Sequence, residues 1–261
     1  MAAERKEKTQ MKSHELYLYD EIVSEKYPGY DGELVGFTPN DLSEVLHGAE
    51  SGDTVNLFVN SPGGSVFAAV AMTSEIKRAR SKGIKIDAYV DGIAASAASF
   101  LIMACDAVHM YNGSMLMVHK PWNFCIGNAN DFLKAAEELE TIENGTCMPI
   151  YRSKLKCDEE ELKALLANET WLSAKQSAEI FNIVLIDENK DVKSVMTDSV
   201  IAKFHYQNTP DDLIVRNKAQ SVNGSEPEES KTEASEPEVE PEAAVDLSKW
   251  EERISNLGGR R

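Results

Sequence analysis

The stretch from Thr54 to Val90 constrains this chain most. Thr54–Val59 reads as a strand and ends at the turn Ser61-Pro62-Gly63-Gly64. A helical stretch follows from about Val66 to Ser81, with an apolar stripe that includes Val66, Ala69, Val70, Ile76 and Ala79. Gly83 closes that helix, and Ile84–Val90 is the next strand. Strand, helix and strand in succession make a βαβ crossover, which is parallel and right-handed.

The alternation extends in both directions. His14–Tyr19 reads as a first strand, and Thr38 caps a helix that runs through Leu46 with Pro39 in its first turn. Beyond Val90 the sequence predicts an apolar helix at Ala94–Ala104 and short strands at Ala107–Tyr111 and Met115–His119. A long helical stretch from about Asn130 to Lys156 is loosened at Gly145 and Pro149. Helices at Glu159–Ala167 and Ser173–Phe181 and a strand at Ile183–Ile186 complete an α/β body spanning residues 12–217, without internal repeats.

Composition sets the limits around that body. The 261 residues are 42% hydrophobic, enough for a substantial core. The net charge of −17 argues against a general binder of nucleic acid or anionic membrane, since both recruit Lys and Arg. Residues 1–11 are polar, with no apolar run of the secretory kind, and no stretch of about 18 apolar residues occurs. The four cysteines, Cys105, Cys125, Cys147 and Cys157, include no C-x-x-C pair, so reduced thiols are expected and zinc is not. A cytoplasmic protein is the expectation. Past Asn217, residues 218–246 form an acidic linker; Ser221–Asp246 holds nine acids, one Lys and three prolines, a composition that predicts disorder. Residues 247–261 place Leu247, Trp250, Ile254 and Leu257 at the spacing of a short amphipathic helix suited to docking.

Three local features could carry chemistry. Asn60-Ser61-Pro62-Gly63-Gly64-Ser65 joins a strand to a helix, and its free amides can hold a negative oxygen, although ordinary Gly-rich turns look the same. Asp91-Gly92-Ile93-Ala94-Ala95-Ser96-Ala97-Ala98-Ser99 puts Ser96 near a helix start among small residues, an arrangement that tight helix packing also produces. Met115–Val118 ends in His119, at the strand end where α/β proteins gather their sites; taken alone, a strand-end His is more often bonded to nearby backbone. His14, His47, His109 and His205 lie outside these features or in the peripheral C-terminal part. Cys105 with Asp106 and His109 is poorly spaced for a thiol nucleophile, and the Gly63-Gly64 turn lacks the Lys of a phosphate loop.

In order, NSPGGSVFAA, DGIAASAASFLIMA, MLMVHKP and NETWLSAKQSAEIFNIVLID resemble the ClpP peptidase family, and more closely its phage head-maturation (prohead) protease branch, from roughly Glu15 to Asp187. The resemblance implies a ClpP/crotonase-like fold of repeated ββα/βαβ units with a protruding handle helix near Asn130–Lys156, through which homo-oligomeric rings stack. It implies a serine endopeptidase with Ser96 as nucleophile, His119 as general base, and the amides of Gly64 and Ala97 as oxyanion donors, with no metal or organic cofactor. The family's third member is an Asp a few residues before an aromatic-Leu-Ser-Ala run; here that place is Glu169, with Asn168 beside it. Ala97-Ala98 stands where the family commonly has Met-Gly. The implied substrate is capsid or scaffold protein. A housekeeping ClpP working with an unfoldase ATPase is the nearest alternative, ahead of a crotonase-type acyl-CoA enzyme and an inactive scaffold.

Overall fold

The computed structural model describes residues 11–29, 31–186 and 195–215. The flexible N-terminus (up to residue 10), the acidic linker and the amphipathic segment expected from the sequence lie outside the described residues. In chain order the protein begins with β1 (Ser13–Leu18), a short hairpin of β2 (Tyr27–Pro28) and β3 (Leu34–Val35), and α1 (Pro39–Gly48). Thr38 and Asp41 cap α1 reciprocally, and Pro39 presets its first turn. β4 (Thr54–Ser61) passes through the glycine turn into α2 (Val66–Ser81), followed by β5 (Lys85–Ala95), α3 (Ala97–Met103), β6 (Ala107–Tyr111) and β7 (Met115–Val118). Next come α4 (Ala129–Ile142), a π-helical turn at Glu143–Cys147, α5 (Met148–Arg152) and α6 (Glu159–Ala167). β8 (Thr170–Ser173), α7 (Ala174–Ile180), β9 (Val184–Ile186), β10 (Met196–Thr197), α8 (Asp198–Phe204) and β11 (Ile214–Val215) complete the described chain.

The fold is α/β, with strands β1, β4, β5, β6 and β9 in one parallel row. β5 serves two neighbours in succession. Asp87–Val90 pair with β6, and beyond Gly92 the residues Ile93–Ala95 pair with Met115–Met117 of β7. β8 then adds antiparallel to β7. This fork corrects the expected helix at Ala94–Ala104: the strand continues to Ala95, and α3 begins only at Ala97. Alanine favours helix, but three residues of ladder with β7 outweigh a weak local preference.

Alternation along the central strands divides the sheet into two faces. Val55, Leu57, Val59, Ile86, Ala88 and Val90 point inward and pack with Met72 and Ile76 of α2 and Leu101 and Ile102 of α3 in one buried cluster. On the other face, register places Tyr17, Phe58, Tyr89 and His109 side by side on β1, β4, β5 and β6, with ring centroids 5.1, 5.4 and 4.6 Å apart. Stacked neighbours of this kind add about 0.5–1.5 kcal/mol each beyond the area they bury.

The long helical stretch near 130–156 is interrupted as its composition implies. Pro149 lacks the N–H that would continue the ladder, and the turn before it widens into the π form around Gly145. α4 buries none of its residues, and Phe132 and Leu133 on it are 54% and 63% exposed. It protrudes, as a handle would. α5 returns to the core, where the Tyr151 hydroxyl lies 2.6 Å from Ser99 Oγ with both residues buried. Tyr151→Phe should lower stability by about 1 kcal/mol, because Ser99 still donates to the Ser96 carbonyl while one buried hydrogen bond is lost. The midpoint of urea unfolding measures this.

Candidate active site

The site assembles where β5, the glycine turn and β7 end together. Ser61 pairs with Ala94 after a slip in the β4–β5 register, so the turn is laid across the end of β5. Asn60 Oδ1 accepts from the Ile93 amide (3.1 Å), holding the two strand ends in contact. Gly63, at φ +94°, packs so closely that a methyl group there would sit 2.5 Å from the Ala95 carbonyl oxygen and 2.7 Å from Ser96 Cβ. Gly64, at φ +141°, lies against the backbone of Ile22. Both positions need glycine, for conformation and for space.

Ser96 occupies the single residue between β5 and α3 and has φ 53° and ψ −123°. That conformation is costly for a residue with a side chain, by about 1–3 kcal/mol, and is held here by its surroundings. The Ser96 amide donates to the Met117 carbonyl (3.0 Å), and the Ser96 carbonyl accepts from the Ser99 amide and hydroxyl (2.9 and 2.6 Å). With its backbone fixed at both ends, the side chain projects into a cleft of about 330 Å³ lined by Gly64, His119, Trp122, Ile142 and Phe204 among others.

His119 follows the last residue of β7, and its Nε2 lies 2.7 Å from Ser96 Oγ. Burial pushes the imidazole below its ordinary value, and the nearby Glu169 charge opposes this only in part. A neutral ring at this distance can accept the hydroxyl proton. Among the described residues, the amides of Gly64 and Ala97 have no hydrogen-bond acceptor, since the Ile22 bridge uses the Gly63 carbonyl and the Ser65 amide instead. Thus the structure brings Ser96, His119, Gly64 and Ala97 to one place.

Glu169 is near but differently engaged. Its carboxylate accepts from the amides of Gln207 (2.8 and 2.9 Å) and Asn208 (2.8 Å), and none of its hydrogen bonds goes to His119. It acts on the ring through charge. Its backbone is left-handed, φ 45°, immediately after the C-cap of α6.

The neighbourhood also contains residues that the sequence reading left aside. Residues 195–215, which include the His205 expected to be peripheral, pack onto the site: Tyr206 meets His119 edge to face at 5.7 Å, and Trp171 meets Tyr206 at 5.8 Å. His205 packs against Trp122 at 5.1 Å. The only signal that could have found them was the aromatic content of this stretch, which carries no fixed spacing. Cys105 is fully buried, and burial pushes its thiol up to about 12, so a thiolate there is out of reach near neutral pH. Among the described residues no three His, Cys, Asp or Glu side chains gather as metal ligands, and no helix is long and apolar enough to cross a membrane.

A strained serine against a neutral imidazole, beside two unpaired amides, has the geometry of an activated-serine site on an α/β fold. Residues 41–188 match the sequence model of the Clp protease family, more than half of the chain, and the chain belongs to that family. The ATP-dependent Clp protease proteolytic subunit of Bacteroides fragilis (strain ATCC 25285) is 25% identical over 142 residues, covering 52% of this chain and 67% of that protein. That of Bacteroides thetaiotaomicron is 22% identical over 178 residues, 66% of this chain and 79% of the relative. The Porphyromonas gingivalis subunit is 25% identical over 138 residues, 51% and 61% respectively. Ser96, His119 and Glu169 fall inside the matched span, and Tyr206 lies beyond it.

Gly63→Ala should cost about 10²–10³ in turnover, the scale of a lost oxyanion donor, because the new methyl displaces the Ser96 backbone. Peptidase assays with thermal unfolding as a control measure it. Acylation should fall as pH drops through the His119 pKa, because the protonated ring cannot accept a proton. Half-loss should come below pH 6.5, since burial holds this group under the ordinary 6.5. A pH–rate profile of kcat/KM reads this directly.

Proposed function

We propose that the protein is a serine endopeptidase working through an acyl-enzyme. The observation that carries this is the 2.7 Å contact between Ser96 Oγ and His119 Nε2 inside the cleft. Ser96 Oγ bonds to the peptide carbonyl carbon as His119 takes the hydroxyl proton, and the oxyanion is held by the amides of Gly64 and Ala97. The C–N bond then breaks, with the proton passing from His119 to the leaving amine. Water attacks the ester by the reverse assignment of roles, releasing the acid and restoring the hydroxyl. In this scheme Glu169 stabilises the imidazolium by charge, without a hydrogen bond to the ring.

Within the class, we propose that the substrate is capsid or scaffold protein processed during phage head assembly, in the host cytoplasm or the procapsid. The support is the resemblance of the NSPGGSVFAA, DGIAASAASFLIMA and MLMVHKP motifs to that branch, together with the acidic Pro/Glu linker beyond the body. The relatives named as ATP-dependent Clp protease proteolytic subunits support a second reading, a housekeeping peptidase fed by an unfoldase ATPase. Either reading fits a homo-oligomer of stacked rings, for which the exposed α4 with Phe132 and Leu133 offers an apolar surface.

Co-expression with a phage capsid protein should yield a shortened capsid chain by mass spectrometry. Ser96→Ala should reduce that processing by on the order of 10⁴-fold or more. Full processing by Ser96→Ala overturns the peptidase reading. A capsid chain left intact by wild-type enzyme that still cleaves model peptides moves the substrate assignment to the second reading.

A further inference from the structure

Among the described residues, three without the freedom of glycine hold positive φ: Ser96, Glu169 and His205. Two of them are the candidate nucleophile and the carboxylate facing its base. His205 is the third, at the end of α8, where a left-handed residue turns the chain sharply and directs Tyr206 inward. Backbone strain of this kind persists where the surroundings hold it, and it collects at functional sites. Ser96 lines the cleft, Glu169 acts by charge on the His119 that lines it, and His205 packs against its Trp122.

Tyr206 is 6% exposed and sits beside that cleft, against His119. Its hydroxyl donates to the Pro62 carbonyl and also interacts with the Ser96 hydroxyl. Its ring packs edge to face on His119. The two residues after it hold the Glu169 carboxylate through their amides. The Pro62 contact bears most directly on chemistry. The Pro62–Gly63 peptide unit is held at both ends, by Tyr206 on its carbonyl and by Ser61 Oγ on its N–H (3.1 Å). The next unit, Gly63–Gly64, has its carbonyl held by the Ile22 amide (2.7 Å), and its N–H is the free amide of Gly64. Two successive glycines resist rotation only weakly, so these hydrogen bonds set where the Gly64 N–H points.

We infer that Tyr206 is a positioning residue of the hydrolytic site. Its phenol fixes the turn that carries the Gly64 oxyanion donor, and its ring keeps water from the edge of His119. The segment 196–215, outside the span matched to the Clp protease family, therefore completes the active site of this chain. This rests on the serine-peptidase reading above, and the test separates the two.

The test reacts the full chain with a fluorophosphonate probe and resolves the maximal rate of inactivation from the probe's apparent binding constant. Wild type should label and Ser96→Ala should not. Tyr206→Phe keeps the ring and removes only the hydroxyl. It should lower the maximal rate about tenfold, a fraction of what loss of a whole oxyanion donor costs, with the binding constant and the fraction of chain that labels unchanged and the thermal midpoint lowered only as one lost buried hydrogen bond requires. Tyr206→Ala also uncovers His119, whose other charged or polar neighbours are Ser96 and Glu169. The acid limb of its pH–rate profile should move upward, toward the ordinary imidazole range. A Tyr206→Phe protein that labels at the wild-type rate overturns the inference and leaves the peptidase reading standing. So does a smaller fraction of chain that labels, at an unchanged rate, which assigns Tyr206 to packing alone. Wild-type labelling that persists in Ser96→Ala overturns the peptidase reading, and this inference falls with it.

Discussion

An imidazole takes a proton from a hydroxyl only when their separation is right to within a few tenths of an ångström, and here backbone pairing sets that separation. The Ser96 amide donates to the Met117 carbonyl, and His119 stands two residues further along the same chain. The rung of ladder that ends the β5–β7 pairing therefore fixes Ser96 and His119 relative to each other before any side-chain contact is made. Ile93–Ala95 on one side and Leu116 and Met117 on the other are almost completely buried, with Met115 half-buried. The pairing thus carries the stability of the core into the site. Side chains mounted on such rigid elements keep their geometry better than side chains on loops.

That dependence explains why β5 has to fork. A single row of parallel strands would pair β5 with β6 along its whole length and leave β7 elsewhere. The division at Asp91–Gly92 lets the first half belong to the sheet and the second half to the site. Gly92 has no room for a side chain, because a methyl there would lie 2.4 Å from Asn60 Oδ1. The same Asn60 oxygen accepts from the Ile93 amide, so the start of the fork and the start of the glycine turn are one contact.

The sequence shows the parts of this arrangement that depend on short-range order. The glycine turn, the small-residue run around Ser96 and the histidine at a strand end each leave a local mark, and their order raises three weak signals to a strong one. The α/β alternation is readable for the same reason, since each helix and strand has its own period. What could not be read there depends on partners far along the chain. The run Ile93-Ala94-Ala95 looks helical until Met115–Met117 is known to lie beside it. Tyr206 and Trp171 are ordinary aromatics in sequence, and only the left-handed turn at His205 brings Tyr206 over His119. Glu169 could be placed by motif, but its hydrogen bonds to Gln207 and Asn208 depend on a segment 38 and 39 residues away.

Those bonds alter what Glu169 can do for the base. In a Ser-His-Asp arrangement the carboxylate accepts from the second ring nitrogen and so fixes orientation and charge together. Here the carboxylate is already held by three contacts from two amides, and its pull on His119 is electrostatic. Burial outweighs that pull, and the ring pKa falls. Orientation is supplied instead by packing, with Ser96 on one side of the imidazole and the edge contact of Tyr206 on another. On the proposed reading, the two tasks that one aspartate performs are divided between a carboxylate that supplies charge and an aromatic ring that supplies position. Both belong to or are held by the same C-terminal segment, so residues 196–215 reach His119 twice, through the Tyr206 ring and through the amides that hold Glu169.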